Sequence, residues 1–69
     1  MFELVNQNKD MCVSVMFDNE VEALEQALHI LKNADKHDAL GFVSVTECEM
    51  RDGEIYEVAV LLARAYIHA

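Results

Sequence analysis

The sequence predicts an α+β domain, in which one amphipathic helix packs on one face of a four-stranded antiparallel sheet in the order ββαββ. Three observations carry this prediction. Segments rich in β-branched residues lie near both ends of the chain, one stretch with helical spacing lies between them, and turn-forming residues separate the strands within each pair. The chain has no proline and only two glycines, so it offers no linker, and we expect a single domain over residues 1–69.

Residues 2–5 and 11–17 have the composition of two strands. Residues 6–10 between them are polar and rich in turn formers, which predicts a hairpin. The second strand is largely apolar at both sets of alternating positions. Because such a strand can be covered on both faces, we expect it to lie in the centre of the sheet.

Residues 18–22 are typical of a helix start. The Asn19 side chain can cap the exposed amides, and Glu22 can reach back as the other half of a capping box. Gly41 is expected to end the helical segment or the turn that follows it. The apolar stripe of the helix is predicted from residues at helical spacing and their neighbours: Val21, Leu24, Leu28 and Leu31, flanked by Ala23, Ala27 and Ile30.

Residues 42–50 and 54–62 are predicted to form the second pair of strands. The turn between them is Arg51-Asp52-Gly53, in which Gly53 can adopt a positive φ. Residues 63–69 fit two structures, because alanine and leucine favour a helix while the alternation upstream favours a continued strand.

A chain of this length has little core volume, yet 54% of its residues are hydrophobic. Some apolar side chains must therefore remain at the surface, and a symmetric homodimer is the common way to cover them. The candidate oligomer-interface residues lie on or after the final strand, where tyrosine favours contacts between proteins: Tyr56, Tyr66 and Ile67.

The formal net charge of −8 excludes direct binding to nucleic acid or to an acidic membrane surface. Such a charge attracts a basic surface, and we expect the partner to be a protein with one. The alternative is that the charge serves only to keep the protein soluble.

Two groups of acidic residues are the candidate partner-binding residues. The first surrounds the helix start, where the helix dipole alone can account for it. The second depends on the turn: a three-residue loop would set Glu47 opposite Glu57 on the face that Glu49 shares, whereas a two-residue turn would pair Arg51 with Glu54 and separate the glutamates. The two groups are Asp18, Glu20, Glu22 and Glu25, and Glu47, Glu49, Asp52, Glu54 and Glu57.

No constellation typical of catalysis is present, so we expect a protein that is not an enzyme and binds no cofactor or metal. Ser14 and Ser44 lie in strand patterns and not on a glycine-flanked turn that would expose a nucleophile. The glycines are isolated, so they cannot form a phosphate-binding loop. The three histidines, His29, His37 and His68, accompany no C-x-x-C pair that would indicate a zinc site.

A cytoplasmic location is the expectation from targeting signals and cysteine content. The first residues have no basic region followed by an apolar stretch, and the longest apolar run, at 58–63, is too short for a bilayer. Cys12 and Cys48 do not make a disulfide framework, and we interpret them as reduced thiols at positions compatible with a core.

The segments at residues 18–27 and 41–46 resemble those of small phage proteins, in which a strand leads into a helix with an E-A-L-x-x-A pattern and returns as a G-F-x-V strand. The small phage inhibitor of bacterial RNA polymerase has that layout, and compact anti-CRISPR and anti-restriction proteins share the size and acidity. The resemblance covers about half of the chain and identifies no functional residue.

The resemblance implies a phage-type inhibitor or anti-defence protein in the cytoplasm of a host cell. Such a protein would bind a basic, nucleic-acid-processing host protein through its acidic surface and block it, with mimicry of nucleic acid as one mechanism. The alternative function is a homo-oligomeric accessory or structural module that inhibits nothing.

Overall fold

The structure, a computed structural model, describes residues 1–8, 11–32 and 41–66. These residues form one antiparallel sheet with the strand order β2-β1-β3-β4 and one helix against it. The predicted ββαββ fold is confirmed. The elements, most of them longer than predicted, are β1 (Phe2–Asn8), β2 (Cys12–Phe17), α1 (Glu20–Lys32), β3 (Gly41–Arg51) and β4 (Glu54–Tyr66).

Strand β2 lies at an edge of the sheet, so the expectation of a central place for it is wrong. The central position beside it belongs to β1, in which Phe2 pairs with Phe17 of β2 on one side and with Glu47 of β3 on the other. Val15 and Met16 of β2 are both exposed. An apolar pattern on both faces does not identify a strand's neighbours, because pairing is decided by where β3 returns along the chain.

The core is formed where the helix lies on the sheet. Leu4, Val43 and Val45 of the sheet and Ala23 and Ala27 of the helix are buried together. Because alanine has no side chain beyond Cβ, these two positions let the helix lie close to the strands. The core therefore consists of small and medium-sized side chains.

The contact stripe of α1 is narrower than the sequence predicts. Leu24, Ile30 and Leu31 pack against the core as expected, but Val21 and Leu28 are exposed. The prediction placed those two residues in the stripe and was wrong about them. A helix presents only one stripe to a sheet, and the buried alanines turn Val21 and Leu28 away from it.

Asn19 caps α1 as predicted. Its side-chain Oδ1 accepts hydrogen bonds from the backbone N–H groups of Val21 at 2.8 Å and Glu22 at 3.3 Å. These bonds satisfy two of the amides that a helix start leaves without an intrahelical partner.

Gly41 is the first residue of β3, and the ring of Tyr66 lies directly over it. A Cβ atom at Gly41 would come within 2.1 Å of that ring, so only glycine allows this approach. The Tyr66 hydroxyl donates a hydrogen bond of 2.9 Å to Oδ1 of Asn6. The C-terminal segment therefore continues as a strand through Tyr66, while residues 67–69, and residues 33–40 before Gly41, lie outside the described part.

Strand β4 contains two bulges. Val45 pairs with Leu62 and Thr46 with Val60, which leaves Leu61 as an extra residue. Because a bulge interrupts the alternation of side chains, both Leu61 and Leu62 pack against the core. The second extra residue is Val58.

The molecule is elongated. Its principal extents are 43 × 22 × 15 Å, and its radius of gyration is 12.6 Å, where a compact chain of this length has about 11 Å. The long direction is that of the β3–β4 hairpin, which extends beyond the other elements.

Substitution of Asn19 by alanine should remove the cap and lower the free energy of unfolding by about 1 kcal/mol. Urea denaturation followed by circular dichroism measures this change. The control is Gln26→Ala on the exposed side of the same helix, which should leave the midpoint nearly unchanged. An Asn19→Ala variant as stable as the unsubstituted protein would contradict the capping role.

Candidate protein-interaction surface

The turn between β3 and β4 consists of two residues. Asp52 has φ 53° and Gly53 has φ 81°, so both central residues are left-handed, as in a type I′ turn. Arg51 and Glu54 are the pair that closes it. Of the two turns that the sequence allowed, the structure has the one that separates the glutamates.

The resulting register decides which residues face the acidic ones. Glu47 pairs with Ala59 and Glu57 pairs with Cys48, so Glu47 and Glu57 are not opposite each other. By strand alternation Glu47 and Glu49 point to the side of the helix, and Glu57 points to the opposite side. The contiguous patch that a three-residue loop would have made does not form.

The end of this hairpin, residues 48–57, projects from the sheet, and we name it the hairpin arm. Pairing of β1 with β3 ends at Phe2 and Glu47. Next to that pair, Met1 and Cys48 exchange two backbone hydrogen bonds, of 2.8 and 3.2 Å. Beyond Cys48 the arm has only its own two strands among the described elements, and a two-stranded ribbon by itself is marginally stable in water.

One side of the hairpin arm is polar. Glu49 accepts a charged hydrogen bond from Arg51, whose guanidinium carbon lies 5.8 Å from the centroid of the Tyr56 ring. The Tyr56 hydroxyl donates to Oε2 of Glu54 at 2.9 Å. All four side chains are exposed, so these contacts orient the groups but add little to stability.

The other side of the hairpin arm is apolar. Met50 pairs with Ile55, and their side chains are 59% and 51% exposed. This side continues into the face of the sheet that α1 does not cover, which we name the open sheet face. Its exposed large apolar side chains outside the arm include Met16, Phe42 and Val60.

The other predicted acidic group follows Phe17, which pairs with Phe2 in the same row as Glu47, so it lies at the end of the sheet from which the hairpin arm projects. Asp18, Glu20, Glu22 and Glu25 are all exposed around the start of α1, as predicted. A shallow open groove lies beside them, and its lining includes Phe17, Glu22, Glu25, Gln26 and His29. The two acidic groups are therefore on different elements at the same end of the sheet.

The predicted oligomer-interface residues differ in their surroundings. Tyr56 is exposed on the hairpin arm, whereas Tyr66 is half-buried against Gly41 and bonded to Asn6. Ile67 lies outside the described residues. Of the two tyrosines, Tyr56 has the freer ring for contact with another molecule.

The two cysteines also differ. Cys48 is buried, as expected of a core thiol, whereas Cys12 is exposed on the edge strand β2, so the core position expected for it is wrong. Burial raises the pKa of the Cys48 thiol, and the negative charges of Glu3 and Glu57 raise it further. A thiol held protonated in this way is a poor nucleophile.

No group of three or more potential metal ligands converges in the described residues, 1–8, 11–32 and 41–66. Within the same ranges, no helix is long and apolar enough to span a bilayer. The exposed side chains of the arm and the open sheet face are suited to contact with another macromolecule.

No family model matches the chain, and no curated protein or solved structure matches it either.

A helix on one face and apolar side chains left at the surface were both predicted, but the residues of the open sheet face were not identified. Among the described residues, thirteen large hydrophobic side chains are exposed and six hydrophobic residues are buried, so more apolar side chains lie outside than inside. The apolar residues on both sides of the predicted strands were a signal of this surplus. For β2 this pattern was taken as a sign of a central strand covered on both faces, whereas α1 covers one face of the sheet only.

Thiol labelling should separate the two cysteines. With Ellman's reagent at mildly alkaline pH, Cys12 should react rapidly, while Cys48 should react only after denaturant is added, because it is buried and its pKa is raised. Cys12→Ala is the control and should abolish the rapid reaction. Two rapidly reacting thiols in the folded protein would contradict the burial of Cys48.

Proposed function

We propose that this protein acts by binding a basic protein surface through its hairpin arm, and that it blocks a nucleic-acid-processing host protein in the manner of small phage inhibitors. The observation that carries the proposal is the composition of the arm. It combines exposed apolar side chains, Met50 and Ile55, with four acidic residues, and Glu47 lies directly before it.

An arm of this kind has the two components of a binding site. Apolar and aromatic side chains supply contact area at the centre of an interface, and charged residues at its rim guide the encounter and select the partner. Five carboxylates against the single Arg51 give residues 47–57 a formal charge of −4, which favours a basic partner.

The charge also supports competition with nucleic acid. Proteins that process DNA or RNA carry basic grooves that hold phosphates. An acidic hairpin that projects from a small body can enter such a groove and exclude the nucleic acid. The two-residue turn places carboxylates on both sides of the hairpin, so they can contact both walls of a groove.

A homo-oligomeric accessory module is the second candidate function. It is favoured by the open sheet face, on which exposed apolar side chains outnumber charged ones, and here the net charge would provide solubility alone. The two candidates differ in which residues matter, because assembly would depend on apolar side chains and inhibition on carboxylates.

Capture experiments at several salt concentrations test the electrostatic mechanism. The tagged protein should retain a protein from the fraction of a bacterial lysate that elutes from DNA–cellulose, and retention should weaken as salt increases, because salt screens exposed charges. The triple variant Glu47→Gln, Glu49→Gln, Glu57→Gln should bind about tenfold more weakly, at roughly 0.5 kcal/mol for each exposed charge.

The matched control is Glu20→Gln, Glu22→Gln, Glu25→Gln at the start of α1, which changes the net charge by the same amount outside the hairpin arm. It should retain most of the binding. If both triple variants lose the same amount of binding, the effect is one of net charge and not of the hairpin arm. Retention that does not change with salt concentration would exclude the electrostatic mechanism.

A further inference from the structure

The outer edge of β4 is the longest unpaired backbone in the described part of the fold. No described strand lies beyond it in the sheet, and it runs for thirteen residues, whereas the other edge, β2, has six. Edge strands are usually protected by proline, by lysine or by shortness. Strand β4 contains no proline and no lysine, and residues 58–63 carry no charge.

The register shows which backbone groups of β4 point outward. Arg51 and Glu54 close the two-residue turn, so their backbone groups point toward each other, and the direction alternates along the strand from there. Cys48 bonds to Met1 on its other side, which confirms that Glu57 opposite it points away from β3. Continued across the two bulges, the alternation gives five outward residues: Ile55, Glu57, Val60, Ala63 and Ala65.

These five residues are arranged symmetrically about Val60. Between Val60 and the next outward residue on each side lie two residues, and one of these two is a bulge residue: Val58 on one side and Leu61 on the other. An antiparallel copy of the same strand therefore matches every outward group without a break in register. Val60 meets Val60 of the second copy, Glu57 meets Ala63, and Ile55 meets Ala65.

We propose that β4 pairs antiparallel with β4 of a second copy of this chain, about a two-fold axis through Val60, and that the two sheets become one sheet of eight strands. The interface is self-complementary, as a two-fold axis requires. A bulge would otherwise hinder edge pairing. Here the bulge at Val58 lies opposite the bulge at Leu61 of the second copy, so the two strands stay in register.

Charge complementarity supports a second copy as the occupant. In this register Tyr56 lies opposite Arg64 of the second copy, and Glu54 lies diagonal to it on the same face of the sheet. Arg64 is exposed and makes no hydrogen bond or ion pair with any described residue. The pairing thus supplies a carboxylate and an aromatic ring to a guanidinium that has neither among the described residues of its own chain.

The dimer also supports the hairpin arm. Residues 54–57 of each arm gain residues 63–66 of the second copy as a neighbouring strand, so the ribbon becomes three-stranded. The accessible surface of the single chain is 4973 Å², where a compact monomer of 7.8 kDa exposes about 4,400 Å². A surplus of this kind is expected of a subunit taken from an assembly.

This inference goes beyond the proposed function and does not depend on it. Glu47 and Glu49 lie on β3, away from the joint. Glu57 lies in the joint, but Glu57→Gln leaves the paired backbone groups in place and removes a charge, so the carboxylate-to-amide variants that test partner binding should remain dimers. Conversely, a dimer that captures no partner would favour the accessory-module function.

Sedimentation equilibrium tests the proposal. The unsubstituted protein should have twice the chain mass of 7.8 kDa at micromolar concentration. Val60→Lys should raise the dimer dissociation constant by about tenfold or more, because it sets two lysines opposite each other at the axis. The control Val21→Lys makes the same change at a position 59% exposed on α1, compared with 65% for Val60, and should remain a dimer.

A charge exchange tests the register. Arg64→Glu should weaken the dimer, and the double variant Glu54→Arg, Arg64→Glu should restore it, since the exchange preserves the pair. A double variant that dimerises no more tightly than Arg64→Glu alone would overturn the register about Val60.

Hydrogen exchange gives a readout that needs no substitution. The amides of Glu57, Val60 and Ala63 should exchange slowly in the dimer and at least about tenfold faster on dilution to monomer, because only the second copy accepts their hydrogen bonds. A monomer at every concentration tested, a Val60→Lys variant that still dimerises, or unprotected amides at these positions would overturn the proposal.

Discussion

The rest of the structure depends on one difference in length: the helix of the described residues packs on a sheet that is much longer than the helix. The thirteen residues of α1 span about 20 Å, whereas the thirteen residues of β4 can span about 43 Å. The helix therefore buries one face of the sheet near Leu4 and Val45, and no other described element covers the opposite face or the hairpin arm. The small core, the elongated shape and the exposed apolar side chains all result from this difference in length.

The exposed surfaces have different properties, and they suggest different uses. The hairpin arm has carboxylates on both of its sides and apolar side chains on one, which suits a basic protein partner. The outer edge of β4 has unpaired backbone groups and few charges, which suits another strand. Because the edge and the β3 carboxylates do not overlap, self-association and partner binding are compatible, and a dimer would present two arms related by the two-fold axis.

The sequence predicted the local features well and the arrangement of strands less well. Asn19 was predicted as the cap from its own type and its position before an apolar stripe, since capping involves only neighbours in the chain. The two candidate turns at residues 51–53 could not be separated, because both place Gly53 at a positive φ. Their difference is one residue in register, which moves the partner of Glu47 off Glu57, and the bulge at Val58 then makes that partner Ala59.

The sequence by itself determined the number and order of elements and the surplus of acidic and apolar residues, because these follow from composition and from short-range periodicity. Tertiary structure decided that β2 lies at an edge, that the alanines of α1 and not Val21 or Leu28 meet the sheet, and that β4 continues to Tyr66. These features depend on contacts between residues far apart in the chain, such as the Tyr66 ring over Gly41, and periodicity within one segment contains no information about them.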